Sequence, residues 1–171
     1  MFAGRLEYQK GIDELIAVVK ELKNDTHYHF HIIGAGSKSK EVQEQLGILS
    51  NVTLYDKVYG LSQYLSSFDY LFMPSNFEGF GLMCAEASLA HVPTIINNCA
   101  GLNETLPNDW LLKVDNNNIN AYVDIFKSIL PKLDKVTLGN QAYHFAKEKF
   151  GIKKMQQKYE KVYEHNFIRC K

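Results

Sequence analysis

Short apolar segments alternate with amphipathic segments along the first two thirds of the chain, and this alternation constrains the fold more than any other feature. The apolar segments are bounded by Gly, Pro, Asn or Asp, as β-strands commonly are. The amphipathic segments repeat their apolar residues at helical intervals, as Ile12, Leu15, Ile16, Val19 and Leu22 do. Strands that alternate with helices predict an α/β fold, in which helices cover both faces of a parallel sheet.

The predicted elements divide the chain into a core and a helical cover. Strands are predicted at 1–4, 28–33, 52–55, 70–73, 94–96 and 111–114, with helices between them at 12–22, 40–46, 61–67 and 82–89. After the turn-rich run 115–118, the predicted helices 119–130, 138–150 and 152–167 have no strands between them. We therefore expect one domain over 1–171, with an α/β core at 1–114 and a helical cover at 119–171.

Both ends of the chain suggest contacts beyond it. The chain begins inside its first predicted strand, so we expect it to be a piece of a longer protein. The last predicted helix carries an apolar stripe, which predicts that it packs against another surface. The stripe consists of Met155, Tyr159, Val162, Tyr163 and Phe167.

Composition argues against several classes of protein. The chain has 171 residues, 46% of them hydrophobic, and equal numbers of basic and acidic residues, 19 each, so no overall basic field would attract nucleic acid. Its three cysteines, Cys84, Cys99 and Cys170, form no C-x-x-C pair, which argues against a zinc ribbon or disulfide framework and favours the cytoplasm. No apolar run approaches the roughly 20 residues of a membrane helix. We expect a cytoplasmic protein, with peripheral attachment at the inner face of the membrane left open.

The first candidate site is a pair of cations beside glycines, Gly4-Arg5 and Lys10-Gly11, at the end of the first predicted strand. Ligands of open parallel sheets bind outside the carboxyl ends of the strands. A planar guanidinium and a compact ammonium together suit a diphosphate. The alternative is a surface loop that carries two solvated cations.

The second candidate is the turn Gly34-Ala35-Gly36, between a predicted strand and a predicted helix. Glycines in such a turn let backbone N–H groups approach a phosphate. Asp56 lies 20 residues after Gly36, where a dinucleotide-binding fold places a ribose-binding acid, but Ser39 occupies the position of the third glycine. A dehydrogenase-like site therefore remains an alternative here.

The third candidate is the segment 74–82, which ends a predicted strand and begins a predicted helix. Gly79 and Gly81 free the backbone to direct N–H groups at an anion, and the helix start adds its positive end. Glu78 precedes the helix and Glu86 lies two turns inside it, so both carboxylates can face one cleft and accept hydrogen bonds from sugar hydroxyls. A capping acid followed by an ordinary helical glutamate is the alternative.

Three histidines and two cysteines receive plainer interpretations. His27, His29 and His31 alternate along one predicted strand and share a face, a spacing that a metal site could use. Parallel strands are usually covered on both faces, so we interpret these histidines as packing or surface residues and expect no metal. Cys84 and Cys99 are interpreted as small apolar residues.

Together these motifs resemble, in order and spacing, the donor-binding C-terminal domain of retaining GT-B glycosyltransferases of family 4. Departures from that family's pattern are His91 and Ala100, each in place of a usual glycine, and Asp56 near the end of the third strand. The resemblance rests on Gly4-Arg5, Lys10-Gly11, Gly34 with Gly36, Pro74-Ser75, Glu78-Gly79-Phe80-Gly81, Glu86, and Gly101 with Glu104.

The resemblance implies the Rossmann-like half of a GT-B fold and a role for each motif. Arg5 and Lys10 would hold the donor diphosphate, Glu86 the ribose hydroxyls, and Glu78 the transferred sugar, with Glu78, Lys10 and Arg5 taking part in catalysis. The backbone near Lys57 and Val58 would contact the base. The donor-binding set would also include Gly4, Gly34, Gly36, Gly79, Phe80, Gly81 and Leu82.

The function implied by the resemblance is transfer of a hexose from a UDP-, GDP- or ADP-sugar to a glycan or lipid-linked acceptor, with retention of configuration and no cofactor. Bacterial surface polysaccharide synthesis would be its setting. The acceptor site would lie in an N-terminal domain absent from this sequence, so we expect this segment to bind the donor without transferring the sugar. An epimerase or phosphorylase on the same plan, or a non-catalytic nucleotide-binding module, remain the alternatives.

Overall fold

The computed structural model describes the backbone of residues 1–169 and the side chains of residues 1–163. Its strands are β1 (Phe2–Ala3), β2 (Phe30–Ile33), β3 (Val52–Tyr55), β4 (Leu71–Met73), β5 (Thr94–Asn97) and β6 (Lys113–Val114). Its α-helices are α1 (Ile12–Glu21), α2 (Ser39–Leu46), α3 (Leu82–Leu89), α4 (Ile119–Asp124), α5 (Lys135–Phe150) and α6 (Ile152–Arg169). Cys170 and the side chain of Phe167 lie outside the described residues.

The strands form two three-stranded parallel sheets, in the orders β3–β2–β1 and β4–β5–β6, which lie side by side with β1 next to β4. Within each half the pairing is parallel, with Phe2 opposite Ile32 and Leu71 opposite Thr94. The halves meet at Met1, whose nitrogen donates to the Tyr70 carbonyl at 2.6 Å and whose carbonyl accepts from the Phe72 amide at 2.7 Å. The strand order therefore reverses between β1 and β4, and such a switch point is where Rossmann-like sheets bind ligands.

Helices cover both faces of this sheet, as the alternation of segments predicts. α1 packs against α2 and α4, while α3 packs against α5. Right-handed crossovers place α1 and α2 on one face and α3 on the other, because the chain moves in opposite directions from β1 and from β4. The apolar core between these layers is continuous across the switch point. The predicted α/β fold with helices on both faces is confirmed.

Two predicted helices take other forms. The segment predicted at 61–67 is a pair of short 3-10 turns, Leu61–Gln63 and Leu65–Ser67. The segment predicted at 119–130 is α-helical only to Asp124, and then widens into a π-turn at Ile125–Ile129. Pro131 has no N–H to continue an α-helical ladder, and the Tyr28 hydroxyl donates to the Phe126 carbonyl at 2.5 Å.

The last two helices form the C-terminal cover, and α6 is exposed. Met155, Tyr159, Val162 and Tyr163 are each half or more exposed, so the expected packing of this stripe is not made by the described residues. None of the helices in the described part of the chain is both long and apolar enough to cross a membrane.

Candidate functional site

The candidate site lies at the carboxyl ends of β1 and β4, the two strands at the switch point. The loops that follow them carry Lys10 and Glu78, which are brought together across 68 positions of sequence. They open onto a cavity of about 390 Å³. Eight residues predicted from the sequence line it, namely Gly4, Arg5, Lys10, Glu78, Phe80, Gly81, Leu82 and Glu86.

An ion pair lies on the wall of this cavity. The Lys10 Nζ donates to the Glu78 Oε1 at 2.6 Å, and the side chains are only 19% and 7% exposed. The same Glu78 oxygen accepts a hydrogen bond from the Ser75 hydroxyl at 2.8 Å. Two opposite charges largely removed from water stabilise each other only in good geometry with further hydrogen bonds, and both are present here.

The two loops that carry this pair are locked against each other. Gly11 has a φ of +67°, and a Cβ there would overlap the Pro74 carbonyl oxygen, so only glycine fits. The Asn76 amide donates to the Gln9 carbonyl at 2.9 Å. Gln9 also accepts from the Arg5 guanidinium at 3.2 Å, which orients Arg5 along the rim of the cavity.

The start of α3 provides the positive end of a helix to the same cavity. Gly81 forms its N-cap with a φ of +76°, and no side chain caps the helix. Within the described residues, the backbone N–H groups of Leu82 and Met83 have no acceptor. Uncapped N–H groups at a helix start bind anions well. The cavity thus combines two cations with an open helix N-terminus.

Glu86 and Phe80 form the outer side of the cavity. Glu86 lies one helical turn after Leu82, not two turns inside the helix as expected, because α3 begins only at Leu82. Both side chains project from the same face of α3, and both are exposed. The Phe80 ring packs edge-on against Phe150 at the end of α5, with ring centroids 4.9 Å apart. The exposed carboxylate of Glu86 can accept hydrogen bonds from vicinal hydroxyls of a ligand.

The turn Gly34-Ala35-Gly36 supports the site without lining the cavity. A Cβ at Gly34 would overlap the Gly4 carbonyl oxygen, and one at Gly36 the Leu6 carbonyl oxygen, so both glycines permit close packing on the loop after β1. The Gly34 amide donates to the Tyr55 carbonyl and the Gly36 amide to the Ser39 hydroxyl. These two N–H groups are therefore already satisfied.

A carboxylate already occupies the neighbourhood of that turn. Glu7 accepts from both the amide and the hydroxyl of Ser37, at 2.8 and 2.5 Å. These hydrogen bonds hold the pKa of the Glu7 carboxyl below its usual value. The protein thus supplies its own carboxylate just before α2, and among the described residues no side chain caps the start of α2 or of α3.

Three other predicted residues do not line the cavity. Lys57 and Val58 follow β3, at the same carboxyl edge of the sheet, and the Lys57 ammonium lies 4.5 Å from the centre of the Tyr59 ring. Gly79 faces open space, since a Cβ at this position would have no atom within 4 Å among the described residues.

The histidines and cysteines lie elsewhere. His27 pairs with Asp25 at 2.8 Å, His29 bonds to Thr53 at 2.7 Å, and the His31 ring packs against Tyr55 and Phe68. Burial and the nearby His29 lower the pKa of His31. Cys84 and Cys99 are partly or fully buried, and burial raises the pKa of both thiols, which disfavours a nucleophilic role.

Ser75, which belongs to a motif of the resemblance but was given no role, and Asn117, which was not predicted, both act at the site. Ser75 is fully buried and bonds to Glu78, while Asn117 contacts the loop after β4 from more than forty positions away. A signal for Asn117 was available, because asparagine in a turn-rich run tolerates the left-handed backbone conformation found there. Its partners, however, follow only from the fold.

Comparison with known proteins finds a family model and relatives that match this chain. The family model described as glycosyl transferases group 1 matches residues 1–131. An uncharacterized 41.2 kDa protein in the cps region of Klebsiella pneumoniae is 37% identical over 131 residues, covering 75% of this chain and 36% of that protein. The O-antigen biosynthesis glycosyltransferase WclY of Escherichia coli is 26% identical over 168 residues, covering 95% of this chain and 45% of that protein.

A solved structure shares the fold. The crystal structure of HepE from Anabaena in complex with UDP superposes with a TM-score of 0.83 at 18% identity, covering 96% of this chain and 48% of that one. The Rossmann-like architecture is thus that of GT-B glycosyltransferase domains. The chain spans less than half the length of these relatives.

Proposed function

We propose that this chain, which belongs to the glycosyl transferases group 1 family, is the nucleotide-sugar-binding domain of a retaining hexosyltransferase of family 4. The domain spans 1–171, with its core at 1–114 and its helical cover at 119–171. The observation that carries the proposal is the convergence of Arg5, Lys10 and the uncapped start of α3 on one cavity. Two cations and a helix N-terminus together match the charge of a diphosphate.

Each group around the cavity has a part in holding the donor. Arg5 and Lys10 bind the diphosphate, and the N–H groups of Leu82 and Met83 meet its distal phosphate. Glu86 accepts hydrogen bonds from the ribose hydroxyls, and Glu78 from hydroxyls of the transferred sugar. The base lies towards Lys57 and Val58, on the same edge of the sheet.

The chemical contribution of this domain is stabilisation of the leaving group. As the glycosidic bond breaks, negative charge grows on the diphosphate, and fixed cations and N–H groups placed there lower the barrier. Arg5 and Lys10 supply this charge from the protein itself, so the proposed reaction requires no metal or other cofactor. Either a UDP-, a GDP- or an ADP-sugar suits these contacts.

The relatives support a role in surface polysaccharide synthesis, because one is a protein of a cps region and another acts in O-antigen biosynthesis. The acceptor is then a glycan or a lipid-linked sugar at the inner face of the membrane. Its binding site belongs to a separate N-terminal domain of the full-length protein, and the present domain alone binds the donor without transferring the sugar.

Product analysis tests the reaction. Full-length protein is incubated with labelled UDP-, GDP- or ADP-hexoses and a lipid extract as the source of acceptor, and the anomeric configuration of the product is determined by NMR. Transfer with the donor's configuration retained is expected, and Lys10→Ala and Glu86→Ala are each expected to lower turnover about tenfold or more. An inverted product, an epimerised donor or a sugar phosphate would overturn the proposal.

A further inference from the structure

Asn117 has a backbone conformation that favours glycine, yet both polar atoms of its side chain make hydrogen bonds. Its φ is +52°, in the left-handed region. Its carboxamide nitrogen donates to the Pro74 carbonyl at 2.8 Å and to the Asn76 Oδ1 at 3.0 Å. Its carboxamide oxygen accepts from the Tyr122 hydroxyl at 2.6 Å. Glycine would adopt this backbone conformation more readily, so an asparagine here introduces strain. The hydrogen bonds of its side chain offset that strain.

These contacts join Asn117 to the loop that carries Glu78. Asn117 also donates its backbone N–H to the Asn97 Oδ1 at 3.0 Å, and the Asn97 amide group donates to the Ser75 carbonyl at 2.9 Å. Asn97 is only 5% exposed. Pro74 and Ser75 are therefore both held by asparagines, and Ser75 in turn bonds to Glu78.

The same contacts reach the loop that carries Lys10. Asn76, which accepts from Asn117, donates its own side-chain amide to the Tyr8 carbonyl at 2.8 Å. Its backbone N–H donates to the Gln9 carbonyl, immediately before Lys10. Asn76, Asn97 and Asn117, which we call the asparagine cluster, thus fix both loops from behind the cavity.

We propose that Asn117 is a positioning residue that holds Lys10 and Glu78 in register for the donor diphosphate, an inference that rests on the proposed function. Asn117 does not line the cavity. It acts through Pro74 and Asn76, on which the spacing of the two loops depends. Because a misplacement of about 1 Å is enough to weaken a preorganised site strongly, loss of these bonds reduces diphosphate recognition even in a folded protein.

The neighbouring residue provides a matched control. Asn116 has a φ of +53° and is exposed, and its side chain makes no hydrogen bond within the described part of the chain. Asn117→Gly and Asn116→Gly each relieve the same backbone strain, but only the first removes contacts to the two loops. A difference between the two variants therefore reports the side chain of Asn117.

The experiment is calorimetric titration of wild type, Asn117→Gly and Asn116→Gly with UDP, GDP and ADP, and with the corresponding nucleosides. Asn117→Gly is expected to weaken binding of the preferred diphosphate roughly tenfold and to leave nucleoside binding unchanged, whereas Asn116→Gly binds as wild type. Equal diphosphate affinity of Asn117→Gly and wild type would overturn the inference alone. Wild type that binds no diphosphate would overturn the proposed function and this inference with it.

Two further variants separate positioning from simple loss of structure. Asn117→Asp keeps the volume and the acceptor for Tyr122 but removes both donated bonds, so it is expected to weaken diphosphate binding as Asn117→Gly does, and it serves if the glycine variant unfolds. Tyr122→Phe removes the hydroxyl and is expected to have a smaller effect that does not add to that of Asn117→Gly. Additive effects in this double-mutant cycle, or wild-type affinity of Asn117→Asp, would contradict the inference.

Discussion

The ammonium of Lys10 and the carboxylate of Glu78 lie 2.6 Å apart on the wall of the cavity. The two residues come from different loops, and each charge neutralises the other. A diphosphate that binds to Lys10 therefore competes with Glu78 for the same cation. Glu78 is therefore expected to weaken the binding of the nucleotide, while its hydrogen bonds strengthen the binding of the transferred sugar.

We predict that Glu78→Gln tightens the binding of the nucleoside diphosphate. The variant keeps the shape of the side chain and removes the charge that competes for Lys10. The expected gain in binding free energy is about 1 kcal/mol, or roughly a fivefold lower Kd. Glu86→Gln is the matched control, because it removes a carboxylate from the same cavity but one not paired with Lys10, and it is expected to weaken binding. Calorimetry that showed equal or weaker affinity for Glu78→Gln would contradict the competition.

Gly11→Ala is predicted to destabilise the fold by about 2 kcal/mol or more. The new Cβ would overlap the Pro74 carbonyl oxygen, and the φ of +67° disfavours any L side chain. Gly79→Ala provides the control, since its Cβ would meet open space, and its stability is expected to match wild type. Urea unfolding of the two variants measures the difference, and equal midpoints would show that the loops are not locked together.

Glu14 gives the stability a dependence on pH. One of its carboxylate oxygens is buried without a partner in the described part of the chain, and burial raises the pKa of this carboxyl above its ordinary value. Because the pKa of Glu14 is higher in the folded state, the folded protein favours the protonated acid. The free energy of unfolding is therefore highest below the unfolded-state pKa of Glu14 and decreases as pH rises through its folded-state pKa.

Glu14→Gln is therefore predicted to be more stable than wild type at pH 7. It is also expected to lose part of the decrease in unfolding free energy that wild type shows as pH rises above the unfolded-state pKa of Glu14. Urea unfolding between pH 4 and pH 8 measures both effects. Glu21→Gln, an exposed residue of the same helix, is expected to change neither. A stability of Glu14→Gln equal to or below that of wild type at pH 7 would rule out the buried, unpaired carboxylate.

His91 allows a prediction about backbone strain. It has a φ of +59°, and its ring stacks on Tyr143 with centroids 4.1 Å apart. Both His91→Ala and His91→Gly lose this stacking, but only glycine adopts the left-handed conformation freely. His91→Gly is thus expected to be about 1 kcal/mol more stable than His91→Ala in urea unfolding. The reverse order would show that the strain is absent.

The sequence predicted the strands and most of the helices because their signals are local. The boundaries of β3 and α3 follow from apolar periodicity and from the flanking residues, which are Asn51 and Asp56 for β3 and Gly81 for α3. The segment 125–132 differs from its prediction, and one of its carbonyls has a distant partner. The carbonyl of Phe126 accepts from Tyr28, two residues before β2, which no local pattern indicates.

The candidate site likewise contains residues that the sequence predicted and contacts that only the fold reveals. Arg5, Lys10, Glu78 and Glu86 were recognisable from charge and glycine spacing, and the fold gathers them around one cavity. The packing role of Gly34 and the bonds of Asn117 depend on which loops meet at the switch point. Such contacts join residues that are far apart in the chain, so neither composition nor periodicity predicts them.

The binding of a nucleoside diphosphate at Arg5 and Lys10 is the central claim, and one titration tests it most directly. Wild type is compared by calorimetry with the Arg5→Ala/Lys10→Ala double variant and with Lys20→Ala/Lys40→Ala, which removes equal charge from exposed positions away from the cavity. We expect wild type and the Lys20/Lys40 control to bind one of UDP, GDP or ADP with the same affinity and the Arg5/Lys10 variant to lose that binding. Undiminished binding by a folded Arg5/Lys10 variant, or no binding of any diphosphate by folded wild type, would contradict the claim.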